Sequence, residues 1–155
     1  MAANSSPRAV GVGRVLVAVY AILALAATGR SVFQIIDRYS EAPLAFSLSA
    51  LAAVVYIVAT IALAVPGVTW YRIARVTITF ELVGVIVVGA LSVFAPTVLG
   101  LTSIDPFGRQ STVWSAFGLG YLLIPLALPI LGLLYLFRRR PSAVTATSAA
   151  AAEGR

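Results

Sequence analysis

Few side chains in this sequence could do chemistry, and one of them lies in an unexpected place. Glu81 falls inside the apolar stretch 75–94, which is otherwise long enough to cross a bilayer. A carboxyl group in hydrocarbon is costly, so it needs a hydrogen-bond donor, a cationic partner, water or a proton. Glu81 is therefore the first candidate for a functional residue.

The candidate partners of Glu81 are the polar residues at its depth. With a rise of about 1.5 Å per residue, Glu81 lies roughly 10 Å inside the arginine-marked end of its span. The same distance from the matching ends of the other hydrophobic runs reaches Tyr20, Tyr56 and Pro129, and Thr60 lies one turn from Tyr56. Tyrosine hydroxyls can donate to a carboxyl, so we expect Glu81 to face the bundle interior, held by Tyr20 or Tyr56. The candidate intramembrane polar site is Glu81, Tyr20, Tyr56 and Thr60.

The sequence leaves three roles open for Glu81. Its carboxyl could join helices as a hydrogen-bonding group, an effect of roughly 0.6 kcal/mol on average inside membranes. It could instead pair with Arg72 or Arg75 near the interface. A third role is proton exchange in a carrier.

Other kinds of site are not expected. The chain has no cysteine and no histidine, and its five acidic residues show no metal-ligand spacing. Asp37, Glu41 and Asp105 lie in connections without the spacing of an acid–base pair. The arginines form no basic face interleaved with aromatic residues, which argues against nucleic acid. We therefore expect no enzyme, no catalytic residues, no cofactor and no metal.

The elements that must position Glu81 are transmembrane helices. The chain is 61% hydrophobic and only 10% charged, with a mean hydropathy of +1.02, unlike a soluble domain. This composition predicts an all-α, polytopic membrane protein with a bundle of four transmembrane helices in residues 10–140. The spans are expected at about 10–28, 44–65, 73–95 and 113–137, between disordered tails at 1–9 and 141–155.

The first hydrophobic run also has the features of a secretory signal. Arg8 and Arg14 precede an apolar core at 15–25, and Ala24-Leu25-Ala26 matches a small-residue cleavage site. Alanine is so frequent in this chain that the match carries little information. We expect the run to stay attached as the first span.

The third and fourth spans carry residues that shape packing. Pro125 and Pro129 lie four apart and predict a kink in the fourth span, and Trp114 is expected at the membrane interface before it. Small residues allow helix backbones to approach closely, which favours packing within a bundle or against a partner. They are Gly84, Gly89, Ala90, Gly118, Gly120 and Gly132.

Arginine placement predicts the orientation. Three arginines (Arg30, Arg38, Arg109) lie in the first and third connections. Seven lie near the other span ends, which the positive-inside rule places in the cytoplasm together with both termini. These seven are Arg8, Arg14, Arg72, Arg75, Arg138, Arg139 and Arg140.

A shift of 61 positions suggests a faint internal repeat. It aligns Arg14-Val15 with Arg75-Val76 and the tripeptide at 31–33 with that at 92–94. The first and third spans would then correspond as a parallel duplication of a helical hairpin. Tyr20 would be the counterpart of Glu81, although the second and fourth spans align poorly.

Three stretches carry a resemblance to known proteins. They are Ser40 to Ala45, Phe80 to Val85, and Thr112 to Tyr121 followed by Ile124-Pro125-Leu126. Together they resemble small four-span membrane proteins of actinobacteria, and the resemblance covers most of 10–137. It implies a four-span fold and no particular activity. The chain is also similar in size to small multidrug transporters, but their glutamate lies in the first span, where this chain has Tyr20.

The expected function follows from this scarcity of chemical groups. We expect a non-enzymatic accessory or scaffold protein of the cell membrane, surrounded by lipid and packed against another membrane protein or its own copies. The alternative is a small proton-coupled carrier of amphiphilic or lipidic molecules that uses Glu81.

Overall fold

The computed structural model describes residues 7–102, 105 and 107–139, with side chains from residue 11 onward. All regular structure in this part of the chain is helical, which confirms the predicted all-α membrane bundle. The long helices are α1 (Pro7–Arg38), α2 (Pro43–Ala64), α3 (Val68–Phe94) and α4 (Ile124–Arg138). The expected tails fall outside the described residues, except that α1 already begins at Pro7.

Prolines and glycines set the ends of the first three helices. Pro43 opens α2 at a position where its missing N–H is no loss, and α2 ends before Pro66. Gly67 has φ 128°, a conformation that favours glycine, and turns the chain into α3. α1 contains Gly29 directly after the expected end at Thr28, but Gly29 does not have positive φ, and the helix continues ten residues further, to Arg38.

The fourth hydrophobic segment differs from the continuous span expected at 113–137. It consists of a tight 3₁₀ segment, Ser115–Tyr121, followed by α4, and the two are bent by 98°. Ala116, Phe117, Leu122 and Leu123 have positive φ, so the chain cannot continue as a right-handed helix there. Three helices are thus long and apolar enough to cross a membrane, or four if the bent pair forms one span.

The bent segment packs into the bundle beside α3. α1 packs most extensively on α2, while α3 contacts α2, α4 and the 3₁₀ segment. Residues 111–114 precede the 3₁₀ segment, and these four and Ser115 are all buried. We call residues 111–123 the inserted segment. Its largest side chain, Trp114, is only 1% exposed.

Glycines of α3 make room for the inserted segment. A methyl carbon added at Gly84 would lie 2.8 Å from the Trp114 ring, and one at Gly89 would lie 2.6 Å from the Phe117 ring. Gly132 of α4 similarly faces Ile78 of α3 at 3.2 Å. The small residues of the third and fourth spans are therefore largely used for packing within the chain.

We predict that Gly84→Ala destabilises the bundle by about 1–3 kcal/mol, because the added methyl overlaps the indole of Trp114. The measurement is the free energy of unfolding in mixed micelles. Gly29→Ala is the matched control, since nothing lies within 4 Å of its added methyl. The control should be neutral or stabilising by up to about 1 kcal/mol, as alanine favours a helix. Equal stability of the two variants would contradict the close packing of Trp114 on Gly84.

Candidate functional site

Glu81 lies at the midpoint of α3, thirteen residues from Val68 and thirteen from Phe94. Its side chain is fully buried. α3 begins five residues earlier than the expected span start at 73, so Glu81 is roughly 20 Å from either helix end. The carboxyl is therefore central in the helix, and it remains six residues, roughly 9 Å, from Arg75.

Tyr20 provides the hydrogen bond that the depth count predicted. Its hydroxyl donates to Oε2 of Glu81 at 2.7 Å, and Tyr20 is also fully buried. This bond joins α1 to α3. The two residues are those aligned by the 61-residue shift, although α2 is continuous where the corresponding fourth segment is bent.

Tyr56 stands next to this pair and makes a different bond. Its ring centroid is 6.3 Å from that of Tyr20. The Tyr56 hydroxyl accepts a hydrogen bond of 3.0 Å from the indole N–H of Trp114. α2 is thereby joined to the inserted segment at the level of the bundle where Glu81 lies.

The expectation that Trp114 marks a membrane interface is wrong. Trp114 packs against Gly84, one turn from Glu81, and is almost completely buried. Indole can occupy an interior site when its N–H finds an acceptor, which Tyr56 supplies here. The sequence predicted an interfacial position because Trp114 precedes an apolar run. It does not show the tight turn that directs this side chain into the bundle.

Side-chain hydroxyls accept hydrogen bonds from backbone N–H groups of the inserted segment that have no α-helical partner. The Ser115 hydroxyl accepts a hydrogen bond from the Thr112 N–H at 2.8 Å. Ser92 of α3 accepts from the Ala116 N–H at 2.7 Å. Non-helical backbone at this depth is tolerated because such partners replace water.

Thr60 is not brought to the carboxyl. Its hydroxyl donates to the carbonyl of Tyr56, one turn earlier in the same helix, at 2.7 Å. This is the usual way for a threonine within a helix to satisfy its hydroxyl. Of the four expected site residues, Glu81 and Tyr20 are in direct contact and Tyr56 is adjacent.

One oxygen of Glu81 has no protein partner among the described residues. Oε1 is buried without a hydrogen bond, whereas Oε2 is bonded to Tyr20. An unpaired buried oxygen costs roughly 1–3 kcal/mol. A free Oε1 is compatible with a carboxyl that exchanges a proton or binds water, and also with one that joins helices through Oε2. The geometry of the pair therefore permits two of the three roles left open by the sequence, joining helices and exchanging a proton. It does not support the third, because neither Arg72 nor Arg75 forms a hydrogen bond or ion pair with Glu81 in the described structure.

A second polar cluster was missed by sequence reasoning. Arg30 of α1 donates to the carbonyl and hydroxyl oxygens of Ser111 at 2.8 and 2.7 Å. Gln34, one turn on, also donates to the Ser111 carbonyl, at 3.2 Å. Arg30 and Gln34 thus fasten the start of the inserted segment to α1. Arg30 and Gln34 are four residues apart, which places them on one face of a helix and could have predicted a shared polar partner. From the sequence, Arg30 was used only to predict the orientation.

Two cavities lie at opposite ends of the bundle. One, of about 490 Å³, lies between Glu41 of the α1–α2 connection and the loop after α3 that includes Asp105 and Arg109. The other, of about 320 Å³, lies between the α2–α3 turn and the end of α4. In the described part of the chain, no group of three or more histidine, cysteine or acidic residues is placed to hold a metal ion.

No protein-family model matches this chain, and neither a curated protein nor a solved structure is significantly similar to it. The arguments for function therefore come from its own geometry. The helices place it among multi-pass membrane proteins, since three or four of them are suited to crossing a bilayer.

We predict that Glu81→Ala lowers the free energy of unfolding by about 1–2 kcal/mol, because it leaves the Tyr20 hydroxyl without its acceptor. Glu81→Gln keeps an acceptor oxygen and the side-chain volume, so it should stay within about 0.5 kcal/mol of the parent. Thr60→Val is the control, since its hydroxyl bonds only within α2. Unchanged stability in Glu81→Ala would show that the carboxyl does not hold the helices together.

Proposed function

We propose that this protein is a non-enzymatic accessory or scaffold subunit of the cell membrane that packs against another membrane protein. The supporting observation is an unpartnered stripe on α1. Its residues recur alternately every three and four positions, and all are exposed. We call this set the α1 stripe: Gly11, Val15, Ala18, Ile22, Leu25, Gly29, Val32 and Ile36.

The spacing of the α1 stripe suits another helix. An alternation of three and four residues is the seam along which two helices supercoil. From Gly11 to Ile36 the stripe is roughly 38 Å long, enough to follow a partner helix across a bilayer. Gly11 and Gly29 have nothing within 4 Å of an added methyl, so a neighbouring backbone could approach them closely.

The other outward faces have a different composition. Large side chains fill the middle of the exposed faces of α2 and α3, as expected of surfaces in contact with lipid tails. On α1, small residues (Gly11, Ala18, Ala26, Gly29) interrupt the large ones. The large exposed residues are Leu51, Val54, Ile57 and Ile61 on α2 and Val76, Phe80, Val83, Ile86 and Val87 on α3. This contrast favours a protein partner for α1, a transmembrane helix of another chain.

We predict that Ala18→Leu reduces the amount of partner that co-purifies in mild detergent by about tenfold, equivalent to roughly 1.4 kcal/mol. The larger side chain would hold the helices apart at the centre of the stripe. Ala127→Leu is the matched control, because Ala127 is an exposed alanine of α4. Equal recovery of the partner from both variants, or purification of a lone homodimer, would contradict this proposal.

The orientation proposed with this function has both termini in the cytoplasm. Its basis is the arginine asymmetry, seven residues against three. The ends that hold Arg14, Arg72 and Arg138 also converge in the fold. The Tyr71 hydroxyl near the start of α3 donates to the Leu136 carbonyl near the end of α4, and the Tyr135 hydroxyl of α4 lies against Gly13 of α1. We call this end of the bundle the arginine end.

We predict that an impermeant thiol reagent applied to intact cells labels Thr102→Cys and leaves Thr69→Cys unlabelled. Both threonines are exposed, and the chain has no other cysteine. Permeabilised cells provide the control, where both positions should react. Labelling of Thr69→Cys alone on intact cells would reverse the orientation.

A proton-coupled carrier is the second candidate, and the inserted segment favours it. Transporters often place non-helical backbone beside an intramembrane polar residue at mid-membrane. Here the inserted segment packs along α3, with the Trp114 ring on Gly84, one turn from Glu81, and Oε1 of Glu81 has no partner in the described structure. In this candidate Glu81→Gln would abolish pH-dependent transport without loss of protein, whereas unchanged transport would exclude Glu81 as the proton carrier.

A further inference from the structure

The cavity at the arginine end has the composition of a lipid site. Its volume is about 320 Å³, roughly ten times the volume of one liquid water molecule. Apolar walls come from the end of α2, the turn into α3 and the end of α4, and one cation, Arg139, lines it. The lining residues used below are Leu63, Val65, Val68, Tyr71, Tyr135 and Arg139.

Arg139 is held at the edge of this cavity. Its guanidinium carbon lies 5.0 Å from the centroid of the Tyr135 ring, a cation–π contact. Tyr135 is itself fixed, since its hydroxyl contacts Gly13 of α1, where a side chain would not fit. The guanidinium N–H groups have no protein acceptor among the described residues.

Charge at the arginine end is uncompensated within the described chain. Five arginines lie there, and the described acidic residues are at the opposite end or at the centre. The described structure contains one ion pair, Arg38 with Asp37, which belongs to the opposite end. An anion from outside the chain is therefore the natural partner. The five are Arg14, Arg72, Arg75, Arg138 and Arg139.

We propose that this cavity binds one anionic phospholipid. The guanidinium edge of Arg139 donates hydrogen bonds to the lipid phosphate, a geometry that arginine provides well. An acyl chain follows the apolar wall past Leu63 and Val65. The half-exposed Val68 leaves the rim open on the side where lipid enters. Basic pockets between transmembrane helices recognise anionic headgroups in this way.

The apolar wall favours a lipid over free phosphate as the ligand of this cavity. A free phosphate would need several polar groups around it. The polar side chains of this lining are Arg139, Tyr135 and Tyr71, and the Tyr71 hydroxyl already donates to the Leu136 carbonyl. A neutral phospholipid would make the same apolar contacts with this wall but would not neutralise the charge of the arginine end. The combination of one cation with an apolar groove therefore selects an anionic lipid.

The test uses the full-length protein, purified in mild detergent and titrated with phosphatidylglycerol while bound lipid is counted by native mass spectrometry. We expect one lipid per chain and about tenfold weaker binding for Arg139→Gln, which removes the charge-assisted bonds. Val68→Trp, which narrows the rim, should weaken binding similarly without changing the net charge.

The matched control is Arg138→Gln, which removes the same charge at the neighbouring position without touching the cavity. It should alter binding by less than about threefold, since only the diffuse surface potential changes. Equal loss in Arg138→Gln and Arg139→Gln would overturn the site, as would equal binding of phosphatidylcholine. Displacement of the lipid by millimolar inorganic phosphate would show that the cavity recognises a free anion instead.

Discussion

The absence of water in the bilayer core is the constraint on which this structure depends. A polar group at the middle of α3 has to be satisfied by other parts of the chain, because the lipid offers no hydrogen bonds. The hydroxyl of Tyr20 meets this need for one oxygen of Glu81. Tyr56 and Trp114 form a second bond beside it, so the polar groups of three helices and the inserted segment meet at one level.

The inserted segment shows how non-helical backbone can enter such an environment. Its left-handed residues cost roughly 1–2 kcal/mol each. The hydroxyls of Ser92, Thr112 and Ser115 accept hydrogen bonds from backbone N–H groups of the segment, and Trp114 packs closely on Gly84, which offsets part of this cost. Pro125 fits the same arrangement, because it stands at the start of α4, where a helix needs no N–H.

Two surfaces remain available once the interior is satisfied, and they differ in chemistry. The α1 stripe is long, uncharged and interrupted by small residues, which suits a helix from another chain. The arginine end carries positive charge around an apolar cavity, which suits an anionic lipid. The two proposed roles, docking on a partner and binding lipid at one end, use these surfaces and require no catalytic groups.

The sequence alone determined the helical membrane class, because a chain with 61% hydrophobic residues can cover its backbone polar groups in lipid only by forming helices or closed barrels. It also identified Glu81 as a carboxyl within an apolar stretch, and it proposed Tyr20 or Tyr56 as the partner because depth follows from a constant rise per residue. The tertiary structure decided which tyrosine bonds the carboxyl, that Trp114 turns inward, and that the fourth segment bends. Those outcomes depend on close contacts such as Gly84 with Trp114 and on positive φ at Ala116 and Phe117. Hydrophobic periodicity carries no information about either, because an apolar run has the same composition whether its chain continues straight or folds back.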